Sequence, residues 1–221
     1  MDGSYVVGLV QQRRRCVTEV QRKPAPDNYP WILIGLLWMV SFLNAADRSI
    51  LNSVKPLLRD AFDITDIQLG MIDTTFFWTY AVCAFVFGRV GDSVRRRNMI
   101  IFGLIFWSMA TGIMPFATGF AMLLGMRTLV AIGESTYYPT ATALISSWHK
   151  PSMRSRALSI HQTAVFAGGG IGGWVAGKLA DSYGWSAPFI IFAALGFVVM
   201  AILFKLLRDD APGEVRVRAE K

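Results

Sequence analysis

Residues 71–116 read MIDTTFFWTYAVCAFVFGRVGDSVRRRNMIIFGLIFWSMATGIMPF. Two apolar runs, 71–87 and 99–116, flank a ten-residue turn that opens at Gly88 and carries Arg89, Arg95, Arg96 and Arg97. A helix crossing the hydrocarbon core needs about 17–25 mostly apolar residues. Each run, with its flanks, meets that length. Two such runs joined by a basic turn form a membrane hairpin whose turn faces the cytoplasm.

Outward from this hairpin the same alternation repeats. Apolar spans fall at 31–54, 68–88, 98–117, 121–146, 157–180 and 186–207, which predicts an all-α membrane protein with six transmembrane helices. The composition agrees: 53% hydrophobic and 17% charged, with mean hydropathy +0.42. Soluble domains are about 45–50% apolar and about 25% charged. Disorder is excluded.

The charges are placed by side. Seventeen of the 22 basic residues precede the first span, lie between spans two and three or four and five, or end or follow the sixth. That bias puts both termini in the cytoplasm. The net charge of +7 therefore reflects membrane orientation, and nucleic acid is excluded as a partner. The first ten residues have no sustained apolar core and no small-residue cleavage site, so the first span is its own targeting signal. The domains read as a cytoplasmic tail, 1–30, a six-helix bundle, 31–207, and a second tail, 208–221. The expected location is the plasma membrane or a bacterial inner membrane. Cys16 in the tail and Cys83 inside a span make no disulfide framework.

Four ionisable residues interrupt apolar spans: Asp47, Arg48, Arg127 and Glu134. Each costs about 2.5–3.5 kcal/mol at the bilayer centre on insertion scales, so each needs a cavity or a partner. Arg127 and Glu134, seven residues apart, share one helical face. Asp47 and Arg48 point about 100° apart, so one can face a cavity while the other reaches a neighbour. Two readings stay open: ion pairs bracing the first span against the fourth, and a water-accessible ligand and ion site. Tyr80 offers a hydroxyl at mid-membrane depth, and Asp73, seven residues before it, lies close enough to the outer end to snorkel.

Other patterns reduce to structure. Gly168 to Gly173 satisfies a dinucleotide-binding pattern, but that pattern needs a preceding strand and a soluble crossover. Here Gly169, Gly173 and Gly177 at four-residue spacing predict close helix packing. His149 and His161 lack any zinc-protease signature. No nucleophile elbow surrounds Ser146 and Ser147. The reading is therefore no enzyme, no catalytic or metal site and no bound cofactor.

The turn Gly88-Arg89-Val90-Gly91-Asp92-Ser93-Val94-Arg95-Arg96-Arg97 resembles the loop between helices 2 and 3 of the major facilitator superfamily, Gly-x-Leu-Ala-Asp-Arg-x-Gly-Arg-Lys. Gly88, Asp92, Arg96 and Arg97 match; Ser93 and Arg95 depart from it. Arg127 through Gly133-Glu134, with Pro139 after it, resembles the superfamily's fourth-helix motif. Asp47-Arg48 with Arg127 and Glu134 is similar to the anion:cation symporter branch, which carries sugar acids and other organic anions. The sphingolipid-exporting spinster-like branch shows Asp-Arg and Gly-Glu at the same places.

The resemblance implies half of a twelve-helix transporter, with substrate held between two six-helix halves. Gly88, Asp92, Arg96 and Arg97 would then form a gating motif, and 208–221 would open the central linker. The second half is either missing from this chain or supplied by another copy. The glycines of the fifth span lack the proline of the drug-antiporter signature, which favours a symporter or uniporter. The expected function is secondary transport of a small organic anion, such as a sugar acid or carboxylate, by proton symport. Arg48, Arg127 and Tyr80 would bind substrate, and Asp47 and Glu134 would couple the proton. The alternatives are a lipid or amphiphile transporter and a non-transporting membrane scaffold.

Overall fold

A computed structural model describes residues 26–209, apart from the side chain of Asp92. The tail residues Arg13, Arg14, Arg15, Cys16, Arg22 and Lys23, and Arg216, Arg218 and Lys221, lie outside the described residues. The described chain is helical almost throughout and forms six rods. They are α1 (Tyr29–Phe62), α2 (Asp66–Ser93), α3 (Arg96–Ile113) with a 3-10 turn (Met114–Phe116), α4 (Phe120–Ser135) with α5 (Tyr137–Trp148), α6 (Pro151–Ala167) with α7 (Gly173–Tyr183), and α8 (Ala187–Leu206). A five-residue π turn, Gly168–Gly172, joins α6 to α7. Four of these helices (α1, α2, α3 with its 3-10 turn, and α8) are by themselves long and apolar enough to cross a membrane.

Local chemistry sets the ends. α1 is 34 residues long, about 51 Å at 1.5 Å per residue, well beyond a hydrocarbon core of about 30 Å. The sequence reading stops the first span at Val54 because Pro56 follows, yet the helix runs through Pro56 to Phe62. Proline removes one backbone hydrogen bond there. Val54 and Leu58, both fully buried, hold the helix on either side. α1 stops where Asp63 turns left-handed (φ 51°) and its amide donates to the Arg59 carbonyl. Thr65 and Gln68 then form a reciprocal capping box that starts α2. The α2 helix continues past Gly88 to Ser93, so the expected basic turn shrinks to residues 94–95.

The fourth rod is interrupted at Thr136, which keeps helical angles. Pro139 explains the break: its ring crowds the carbonyl four residues earlier and it has no amide to donate. The Gly133 carbonyl instead accepts from the Thr136 amide at 3.3 Å and from its hydroxyl at 2.8 Å.

Packing is close where glycine allows it. α1 lies against α6, the π turn and α7, while α3 lies against α4 and α8. A Cβ on Gly168 would overlap the Phe42 carbonyl, and one on Gly172 would overlap the Ala46 methyl. On Gly173 it would come within 3.2 Å of Ser49 Cβ. Gly169 and Gly177 have room for ordinary contact with Ser49 and Ser53. Gly133 sits similarly tight on Trp107 of α3. In lipid, helices associate by such contacts, since the solvent is as apolar as the side chains.

Candidate functional site

The four intramembrane charges come together midway along the bundle. α1 carries Asp47 and Arg48, and α4 carries Arg127 and Glu134. Arg48 Nε donates to Glu134 Oε2 at 2.8 Å, a salt bridge whose carboxylate is fully buried. Arg48 Nη2 donates to Asn44 Oδ1 at 3.1 Å. Its guanidinium also lies over the Tyr80 ring, 4.4 Å from the centroid. Arg127 faces a shared surface: it stacks on Phe76 at 4.6 Å, with Arg48 5.7 Å from the same ring. Such contacts favour a desolvated cation by about 2 kcal/mol. Phe76 and Tyr80, one turn apart on α2, thus form an aromatic floor under both arginines.

The cluster is incompletely satisfied. Asp47 is 4% exposed, and Thr111 Oγ1 donates to its Oδ2 at 3.5 Å. Asp47 Oδ1, Arg127 Nε and Glu134 Oε1 are buried and have no hydrogen-bond partner among the described residues. Buried charges are ordinarily paired or fully hydrogen-bonded. Here one close bridge joins α1 to α4, and three charged atoms remain open.

A cavity of about 380 Å³ opens beside this bridge. Ser41, Asn44, Ala45 and Arg48 line it from one face of α1, at helical spacing. Tyr80 comes from α2, Tyr137 and Tyr138 from α5, and Gln162, Val165 and Gly169 from α6 and the π turn. Tyr138 donates to Gln162 Oε1 at 3.3 Å. Deeper in the wall, Tyr137 donates to the Leu37 carbonyl at 2.5 Å and lies 2.8 Å from His161 Nε2. A phenol has one proton, so with that proton on Leu37, His161 supplies the Nε2–H.

The remaining residues singled out by sequence sit elsewhere. Asp73 pairs with Lys55, and Arg59 pairs with Asp66, closing α1 onto α2 near the turn that joins them. Gly88 lies inside α2 with open space at its Cβ position. The Asp92 side chain is outside the described residues. Arg96 reaches the Ala143 carbonyl. Arg97 donates to the Leu207 and Phe204 carbonyls at 2.6 Å each, capping α8. Sequence reading missed Asn44, Phe76, Tyr138 and Gln162. Their one signal was spacing, since Asn44 and Phe76 stand one turn before Arg48 and Tyr80.

The sequence profile of the Major Facilitator Superfamily matches residues 37–221. Human Protein spinster homolog 1 is 34% identical over 187 residues, covering 83% of this chain and 35% of that protein. The hexuronate transporter of Bacillus subtilis is 26% identical over 183 residues, covering 83% and 43%. The crystal structure of a bacterial homolog of the human lysosomal transporter Spinster, inward-facing and unoccupied, superposes with TM-score 0.80 at 25% identity, covering 89% of this chain and 47% of that one. The chain thus spans between about a third and a half of the length of these relatives. It belongs to the major facilitator superfamily, whose members are integral membrane transporters and not enzymes.

Proposed function

We propose that this member of the major facilitator superfamily is one six-helix wall of a proton-coupled carrier for a small organic anion. The observation that carries this reading is the Arg48–Glu134 bridge, 2.8 Å long and set against the cavity. With Asp47, Arg48, Arg127 and Glu134 ionised, the cluster sums to zero. An anion entering on an arginine would leave −1 in a low-dielectric site, and uncompensated charge there is costly. Protonating Glu134 restores neutrality and loosens its hold on Arg48, whose fork then takes the carboxylate of the substrate. Anion and proton therefore move together. Arg127, on the shared Phe76 ring, completes the positive side of the site, Tyr80 orients the ligand, and Asp47 is a second proton acceptor.

The hexuronate transporter among the relatives is named for an organic anion, which supports this reading. The basic turns at one end of the bundle support cytoplasmic termini. A second reading, carriage of a lipid-like amphiphile, draws on the spinster likeness and on the tyrosines in the cavity wall. Liposomes holding the transporter with its second half separate the two. Addition of a short carboxylate should drive proton entry if the first reading holds. Proton entry with long-chain amphiphiles alone would replace it.

The other half matters because alternating access rocks one repeat against another. Reconstituted as a monomer, the 221-residue chain is expected to bind anion yet move none across the membrane, measured by flux of a radiolabelled carboxylate. Flux by a monomer would overturn this. Flux by a homodimer would identify another copy as the second wall.

Asp92 lies in the last turn of α2, far along the rod from Tyr80. In the assembled carrier, Asp92→Asn is expected to cut transport while leaving equilibrium binding within about threefold. Lost affinity with unchanged conformational populations would contradict a gating role.

A further inference from the structure

We propose that Asn44 sets the specificity of this cavity, selecting an anion that carries an acceptor oxygen on the carbon next to its carboxylate. The inference rests on the reading that Arg48 takes the anion. Asn44 stands one turn before Arg48 on the same face of α1 and lines the same cavity. Its Oδ1 accepts from Arg48 Nη2 at 3.1 Å. A guanidinium has only donors, so the amide cannot be turned the other way round. Both protons of Nδ2 are therefore directed away from Arg48. That nitrogen is buried and has no partner among the described residues, in a residue 8% exposed. A ligand oxygen would satisfy it.

The facing wall has the same bias. Gln162 Oε1 is taken by the Tyr138 hydroxyl at 3.3 Å, which leaves the amide protons of Gln162 unspent. Both amides thus use their acceptors within the protein and keep their donors. A wall of free donors beside a guanidinium suits a ligand rich in acceptors. It disfavours one that brings an ammonium group, whose protons neither amide can accept. A carboxylate held on Arg48 places a substituent on its neighbouring carbon beside the Asn44 amide. A 2-oxo oxygen there accepts; a 2-ammonium does not.

Three six-carbon probes isolate the effect: hexanoate, 2-oxohexanoate and 2-aminohexanoate. Binding to the purified chain in lipid nanodiscs, measured by calorimetry, should rank 2-oxohexanoate at least about tenfold tighter than hexanoate, the typical gain for pairing a buried donor. The 2-amino compound should bind more weakly than hexanoate. Asn44→Ala should bring the ratio of 2-oxohexanoate to hexanoate affinity to within about twofold, whatever the loss of Arg48's neighbour does to both. Equal binding of hexanoate and 2-oxohexanoate by the unaltered chain overturns the assignment, as does a preference that survives Asn44→Ala. If Asn44→Ala does not fold, the probe series on the unaltered chain still decides. Failure of the underlying reading looks different: no carboxylate binds at all, or Arg48→Ala leaves hexanoate binding intact.

Discussion

Gly172→Leu is expected to destabilise the bundle strongly, whereas Gly170→Leu, two residues away, is expected to be tolerated. At Gly172 even a Cβ meets Ala46, with backbone Cα 2.9 Å away, so no rotamer change relieves it. At Gly170 a Cβ meets open space. Forcing extra atoms into a fitted contact costs about 1–3 kcal/mol and occasionally more. The upper end applies where backbone must move. Two consequences follow from the site's position. α1 would shift away from the π turn at the residue preceding Asp47-Arg48, so anion binding should fall with stability. The π turn itself, a backbone defect common near functional sites, would lose the neighbour that holds it. Thermal unfolding in detergent and monodispersity on gel filtration check this, with Gly170→Leu as the matched control. Equal behaviour of the two variants would show that the α1 contact at Gly172 contributes nothing to assembly.

That contact marks a limit of what sequence discloses. The glycine run between 168 and 173 signals close packing by composition alone. Which glycines touch depends on how α1 crosses the turn, and the tightest are Gly168 and Gly172, with Gly173 close and Gly169 and Gly177 looser. The six rods were legible because long apolar stretches separated by charges admit few structures in a membrane. Their ends were less so. Pro56 reads as a stop, but buried neighbours carry α1 past it, and only the left-handed Asp63 ends the helix.

The site divides in the same way. Asp47, Arg48, Arg127 and Glu134 stood out because a charge in an apolar span is anomalous by several kcal/mol. The shared face of Arg127 and Glu134 was readable from spacing, and ion pairing of the first span to the fourth was one of the two open readings; that Arg48 and Glu134 form the close bridge was not readable. Asn44, Tyr138 and Gln162 are neutral, and a neutral polar side chain in an apolar span costs less than a charge, so it marks a site less sharply. Their significance appears only once packing shows which of their atoms are already paired. His161, which carried no signature in the sequence, is buried against Tyr137 with its ring nitrogen bonded to the phenol.

Arg48→Ala and Glu134→Gln are expected to fail in different ways, and the contrast tests the mechanism. Arg48→Ala removes both the anion's partner and the cation that Glu134 holds at 2.8 Å. Losing one member of a buried charge pair costs about 2–5 kcal/mol, so binding of a carboxylate should drop by roughly 30-fold or more. Arg48→Lys keeps the charge but not the planar fork, and should fall between the two. Glu134→Gln fixes the neutral state that the proton creates. Its carboxamide keeps the size and an acceptor for Arg48 Nε without the charge that competes with substrate. Binding should persist, and substrate exchange across the membrane should continue once the second half is present. Uphill uptake driven by a proton gradient should vanish, because the carrier has lost the group that releases its proton. Calorimetry supplies the binding arm; exchange and gradient-driven uptake in proteoliposomes supply the other. Suppose Glu134→Gln, folded and monodisperse, abolishes binding as fully as Arg48→Ala. The carboxylate then serves as a direct ligand or as a brace for Arg48, and the proton enters through another group, of which Asp47, buried with one oxygen unpartnered, is the nearest candidate.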